Sequence, residues 1–254
     1  MLLSASKLTK RFGEVTAVSD VSFSLEAGET LALIGPSGCG KTTTLKLLNR
    51  LIEPDGGIVR LGGQEAHEVS AHEWRRRIGY VIQSAGLFPH MSVAENVAVT
   101  PRLLGWDTGR IGARTERLLD LVGLPIDAFG ARRPGELSGG QAQRIGLARA
   151  LAGEPEIVLM DEPFSALDPL TKDQLIEDVA HMRSELGFAA VMVTHDFSEA
   201  LRFADRIAVM QAGAIVQMGT AQELIAQPAG RAVEDLLAAP RRTAQAVSAA
   251  FGSA

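Results

Sequence analysis

Two rhythms of apolar and polar positions alternate along the chain. Val21, Phe23 and Leu25 fall on one side and Ser22 and Ser24 on the other, the period of a half-buried strand, and Gly28 then turns the chain into the unbroken apolar run 31–34. Runs 157–160 and 189–193 are equally apolar throughout, the pattern of parallel strands buried on both faces, and 78–82 predicts a further strand. Between the strands the period lengthens to that of a helix. Leu45, Leu48 and Leu51 predict one helix, Leu118, Leu119, Leu121 and Val122 another, and Ile145, Leu147, Ala148 and Leu151 a third. Ser92 and Glu95 have capping-box spacing at the start of a helical stretch reaching about Leu124, and Pro169 opens a helix running toward Leu186. Segment 58–61 followed by Gly62 and Gly63 reads as a strand and turn. Strands 207–211 and 214–218, joined by Ala212 and Gly213, read as a hairpin. A short helix over 221–227 is capped by Thr220 and Glu223. The sum is an α/β core with a small helical subdomain inserted at about 84–152.

Composition narrows the class. A chain of 254 residues is long enough to bury a full core. No window approaches the ~20 uncharged apolar residues that span a bilayer, although the mean hydropathy is +0.11. Residues 1–7 lack the charged and apolar regions of a signal peptide, which predicts a cytosolic location. A net charge of −5 with scattered arginines argues against nucleic acid as the main ligand. The densest basic cluster, Arg75 to Arg77, ends a helical pattern and reads as a solvated helix C-terminus. Cys39 is the sole cysteine, so no intrachain disulfide forms.

The candidate chemistry begins where the strand at 31–34 runs into Gly35, Pro36, Ser37, Gly38, Cys39, Gly40, Lys41, Thr42 and Thr43, followed by helical periodicity. A glycine-rich turn ending in Lys-Thr at a helix start is a phosphate-binding loop. Its backbone N–H groups cradle a polyphosphate, Lys41 reaches the terminal phosphates and the Thr42 hydroxyl suits Mg²⁺. Other polar residues fall at the carboxyl ends of apolar strands, where open α/β sheets collect ligands. Gln83 ends one strand, and it reads either as a site residue or as the opening of a surface loop. Asp161 and Glu162 end another, with Asp161 suited to the metal and Glu162 to aligning and deprotonating a water; a helix cap is the plainer alternative. His195 ends a third and reads either as a structural residue or, as the fourth polar residue on that edge, as a γ-phosphate contact. Asp168 before Pro169 is either an N-cap or a site residue. Phe12, beside Arg11 and Gly13, either stacks on a flat base or packs beneath the sheet. A second glycine-rich helix start, Ser138, Gly139, Gly140 and Gln141, is a second anion site or a bare cap. Two copies packed head to tail would set each Ser138 loop against the other's phosphates.

In their order these motifs resemble the ATP-binding cassette (ABC) ATPases over most of the chain. The resemblance implies a P-loop NTPase core, a mixed sheet flanked by helices, with an antiparallel β subdomain and the inserted helical subdomain. It places the ATPase domain at 1–238 and a short tail at 239–254. It also implies ATP with Mg²⁺ as the ligands and a two-fold ATP-sandwich dimer. Phe12 matches the adenine-stacking aromatic of that family. The stretch 83–97 resembles the segment of binding-protein-dependent importer subunits that meets a membrane permease, with Leu87 and Phe88 as apolar anchors or as subdomain packing. Such subunits sit peripherally on the cytoplasmic face of the membrane. Flanking segments 49–54, 78–83 and 100–106 are similar to the branch importing glycine betaine, choline and related quaternary amines. Many members of that branch carry C-terminal CBS domains, which are not expected in this chain.

Overall fold

The computed structural model describes residues 1–165, 167–238, 240 and 242, so most of the expected tail lies outside the described residues. Strands β1 (Leu3–Phe12) and β2 (Val15–Leu25) form an antiparallel hairpin closed at Phe12 and Val15. With β4 (Gly56–Leu61) and β5 (Gln64–Glu65) they make a four-stranded antiparallel sheet in the order β2-β1-β4-β5. The second sheet holds β3 (Thr30–Ile34), β6 (Ile78–Val81), β7 (Ile157–Asp161), β8 (Ala189–Thr194), β9 (Arg206–Gln211) and β10 (Ala214–Gly219). Its order is β10-β9-β3-β8-β7-β6. All neighbours run parallel except the β9–β10 hairpin at one edge.

Helices cover both faces of this sheet. They are α1 (Lys41–Leu48), α2 (Ala71–Arg76), α3 (Val93–Leu103), α4 (Thr108–Leu121), α5 (Ile126–Phe129), α6 (Gly139–Ala152), α7 (Pro169–Leu186), α8 (Phe197–Phe203) and α9 (Ala221–Ala226). Every residue of β3 and β8 is buried, as the fully apolar runs require. Successive side chains of a strand point to opposite faces, and the sheet accordingly divides two cores. Ala32, Ile34, Val158, Met160 and Met192 face one; Leu31, Leu33, Leu159, Val191 and Met210 face the other. The second core closes on Leu3, Leu8, Phe23 and Leu25 of the antiparallel sheet and on α1.

Three features differ from the sequence reading. The first helix ends at Leu48, because Arg50 takes a left-handed φ of +49°, and Leu51 is left exposed. Arg50 is held there by its guanidinium, which donates to the Val69 carbonyl at 2.6 Å and to Glu53 at 3.0 Å. The helical insertion has no core of its own: Val97, Leu118 and Ile145 join the same apolar cluster as the sheet residues Val81 and Val158. Arg77 is not simply solvated, since it bonds Glu156, Gln64 and the Leu61 carbonyl and so ties α2 to the sheet edge.

Trp74 of α2 is the largest fully enclosed side chain, and its indole N–H donates to the Leu48 carbonyl at 2.8 Å. Trp74→Ala is expected to cost about 3–5 kcal/mol, read from urea unfolding midpoints, because it opens a cavity and orphans that carbonyl. A loss under about 1 kcal/mol would contradict the packing.

Candidate active site

The phosphate loop runs from the end of β3 into α1, with Pro36, Ser37 and Gly38 exposed on its crest and Cys39 and Gly40 buried at its base. Two of its glycines are dictated by space. A Cβ on Gly35 would lie 2.2 Å from the Met210 carbonyl oxygen, and one on Gly40, at φ +105°, would lie 2.4 Å from that of Ala17. Lys41 is only 6% exposed. Its ammonium sits inside the loop, donating to Gly35 O at 2.7 Å and Pro36 O at 3.1 Å, with the Cys39 sulfur 3.9 Å away. Thr42 and Thr43 stand half-buried in the first turn of α1. The Thr42 hydroxyl donates to Asp161 Oδ1 at 2.9 Å and so joins the helix start to the end of β7.

The strand ends supply the rest. Burial pushes the Asp161 carboxyl above the usual range, an effect that the Thr42 hydrogen bond opposes. Glu162 follows at φ +45°, a left-handed conformation that costs a side-chain-bearing residue about 1–3 kcal/mol and recurs at functional sites. Its N–H is held by Val193 O of β8 at 3.0 Å. Its Oε2 accepts from Gln83 Nε2 at 3.2 Å and lies 3.5 Å from His195 Nδ1. Gln83, Glu162 and His195 thus meet in one polar cluster, while Asp161 is bonded to Thr42. Ser165 joins it unforeseen: its hydroxyl receives Gln83 Nε2 at 3.4 Å and donates to Glu162 O at 3.1 Å. Its place one turn after Glu162 was visible in the sequence, but nothing there marked the side chain as pointing inward.

Other expected residues lie apart from this cluster. Phe12 ends β1 with 53% of its surface exposed, so it does not pack beneath the sheet; Lys10 Nζ stands 5.7 Å from its ring. Ser138 caps α6, accepting from Gln141 N at 3.2 Å, while Gln141 Oε1 accepts from Ser138 N at 2.9 Å. The Gln141 side chain is therefore engaged by the cap. Gly140 is packed so closely on α7 that a Cβ would lie 2.4 Å from Thr171 Cγ2. Asp168 caps α7 through Thr171 N at 3.1 Å, which is the plainer of its two readings. Leu87 is half-buried against the core, whereas Phe88 is 40% exposed. Two further groups hold the segment after Gln83 in place. Arg149 donates to Gly86 O at 2.7 Å and Ala85 O at 2.9 Å, and the Asn96 carboxamide, buried, pairs with both backbone groups of Phe88.

A glycine loop with a buried lysine, a helix hydroxyl bonded to a strand-end carboxylate, and a Gln–Glu–His cluster beyond the same sheet edge define a nucleoside-triphosphate site of the P-loop class. The sequence matches the family described as ABC transporter over residues 18–165, and the chain belongs to that family. It is 46% identical over 237 residues to the osmoprotectant import ATP-binding protein OsmV of Salmonella typhimurium, covering 91% of this chain and 62% of that protein. It is 47% identical to the glycine betaine/carnitine/choline transport ATP-binding protein OpuCA of Bacillus subtilis, covering 90% and 60%. The chain thus spans about three fifths of the length of these curated relatives. Among solved structures it superimposes on a dimeric post-hydrolysis form of the ATP-binding cassette MJ0796 bound to ADP and Pi, with a TM-score of 0.77 and 30% identity over 86% of this chain and 98% of that one.

Proposed function

We propose that the chain is the ATP-binding and hydrolysing subunit of a binding-protein-dependent ABC importer for a quaternary amine osmoprotectant such as glycine betaine, choline or proline betaine. The observation that carries the ATPase part is the convergence of Lys41, Thr42, Asp161, Glu162, Gln83 and His195 on one sheet edge, within hydrogen-bond reach of one another where their side chains meet. The solute class is supported by the names of the relatives alone, since an ATPase subunit does not touch the cargo.

In this reading the amides of Gly38, Gly40 and Lys41 hold the phosphates with the Lys41 ammonium, and adenine stacks on Phe12. Glu162 orients and deprotonates the attacking water, while Gln83 and His195 fix its carboxylate and reach the γ-phosphate. Thr42 Oγ1 and Asp161 Oδ1 are adjacent oxygen donors, and a carboxyl whose charge is disfavoured by burial fits a place beside a cation. Thr42, Asp161 and Gln83 would hold Mg²⁺, which when bound neutralises charge on the phosphates.

Neither the Ser138 loop nor Asp168 joins the cluster by a hydrogen bond among the described residues, and both stand at helix starts on α6 and α7. That separation favours a head-to-tail pair in which Ser138, Gly139, Gly140 and Gln141 of one copy, with Asp168 nearby, complete the nucleotide site of the other. The dimeric form of MJ0796 supports such an assembly. Closure of the pair would drive integral membrane permease subunits, served by a secreted or periplasmic solute-binding protein, from the cytoplasmic face of the membrane. No helix among the described residues is long and apolar enough to cross a membrane. An importer subunit for another small solute is the alternative.

The test of the shared site is Ser138→Arg. Turnover measured as phosphate release is expected to fall at least tenfold, with single-chain ATP binding retained. Wild-type turnover in that variant, or in strictly monomeric protein, would end the two-copy reading. The solute is tested by vesicles containing the chain with its permease and binding protein, in which ATP hydrolysis should rise with glycine betaine or choline and not with a polyol.

A further inference from the structure

His195, a solvent-exposed member of the cluster, is bracketed by a network that no assigned role uses. Its side chain is 56% exposed, and the Glu162 carboxylate lies 3.5 Å from its Nδ1. Its two neighbours in sequence, by contrast, are tied down. The Thr194 hydroxyl, on a residue 1% exposed at the end of β8, donates to Glu199 Oε2 and accepts from Asp196 N at 3.0 Å. Asp196 caps α8, accepting from Ser198 N at 2.8 Å. Lys172 of α7 then closes the ring, with its Nζ 2.8 Å from Asp196 Oδ2 and 2.5 Å from Glu199 Oε1.

Glu199 is the centre of this arrangement. It is only 3% exposed, and a buried carboxylate persists where both of its oxygens are satisfied, here one by Lys172 and one by Thr194. Burial works against the Lys172 charge, but the two carboxylates outweigh it and hold its pKa above the ordinary lysine value. Burial likewise acts against the Asp196 charge, and the Lys172 hydrogen bond overrides it to lower the Asp196 pKa. Lys172 and Asp196 therefore stay charged and paired through the neutral range, with Glu199 Oε1 against the same ammonium. Lys172 also sits one helical turn after Asp168, whose carbonyl accepts its N–H at 2.9 Å. The α7 start and the His195 backbone are thus parts of one rigid unit.

We infer that Glu199 and Lys172 are positioning residues for His195: together they fix the backbone on both sides of it, so that a solvent-open imidazole keeps its place beside Glu162 without side-chain packing of its own. The inference rests on the proposed role of His195 in ATP hydrolysis. Freed from the bracket, residues 194–196 would sample a loop's conformations, and the histidine would reach the γ-phosphate in a fraction of molecules only.

The experiment uses the full chain with ATP, comparing Glu199→Gln, Lys172→Met, Lys172→Arg and His195→Ala. For Glu199→Gln and Lys172→Met the expected result is a roughly tenfold or greater fall in kcat with KM for ATP within about twofold of the parent. Lys172→Arg, which keeps the charge, should recover most of the rate. The His195 imidazole resonance, assigned by its disappearance in His195→Ala, should broaden or shift in the two damaging variants. Unchanged kcat and an unmoved resonance in folded Glu199→Gln protein overturn the inference, as does equal loss of kcat in Lys172→Arg and Lys172→Met. If Glu199→Gln and Lys172→Met fail to fold, Thr194→Val, which removes only the hydroxyl contact, carries the same test. Normal turnover in His195→Ala overturns the hydrolytic role of His195, and with it this inference; loss there beside parental Glu199→Gln overturns the bracket alone.

Discussion

Lys41→Ala is expected to lose ATP turnover, with phosphate release falling by at least about 10²–10³, the scale for removing one preorganised group that meets developing charge. The position leaves little room for substitution. The ammonium is enclosed by the loop and oriented by the Gly35 and Pro36 carbonyls, so a ligand in the loop meets a charge already placed and largely stripped of water. Alanine removes that charge and takes from the Gly35 carbonyl its lysine donor, while the Pro36 carbonyl keeps the Cys39 N–H at 3.3 Å. Arginine does not restore it, because the longer planar fork does not fit a cradle built around a point charge. Binding of a fluorescent ATP analogue should weaken in parallel, which separates this variant from one that impairs chemistry alone. Turnover within tenfold of the parent in folded Lys41→Ala protein would show that the loop is not the phosphate site.

Glu162→Gln separates binding from hydrolysis. The substitution keeps the side chain's size and the strained backbone, so Val193 still holds its N–H and Gln83 still finds an acceptor oxygen. What disappears is the ability to take a proton. kcat is expected to drop about 10²–10⁴-fold with ATP affinity preserved. Because the γ-phosphate then persists, the pair of chains should stay closed and sediment as a dimer in ATP but not in ADP. Normal hydrolysis in this variant would remove Glu162 from the role of base.

Local pattern made much of this molecule legible. The unbroken apolar runs at 157–160 and 189–193 are enclosed central strands, capping residues three apart mark the starts of α3 and α9, and a glycine-rich start marks α6. The strand-end polar residues could be read because in a parallel sheet a strand's carboxyl end has a fixed place. What could not be read depended on contacts far apart in the chain. Ser165 meets Gln83 across 82 positions, and Thr42 meets Asp161 across 119. The left-handed turn at Glu162 has no signal, since it uses a residue that normally avoids it. The Thr194–Glu199–Lys172 ring escaped notice for another reason: a Glu and a Lys on helices read as solvated charges until packing encloses them.

Helix α6 carries the Ser138 cap at one end and Arg149 eleven residues on, a separation of about 16 Å along a stiff rod. Arg149 grips the carbonyls of Ala85 and Gly86, two and three residues beyond Gln83. The α6 start and the backbone just beyond Gln83 are thereby fastened to a single rigid body.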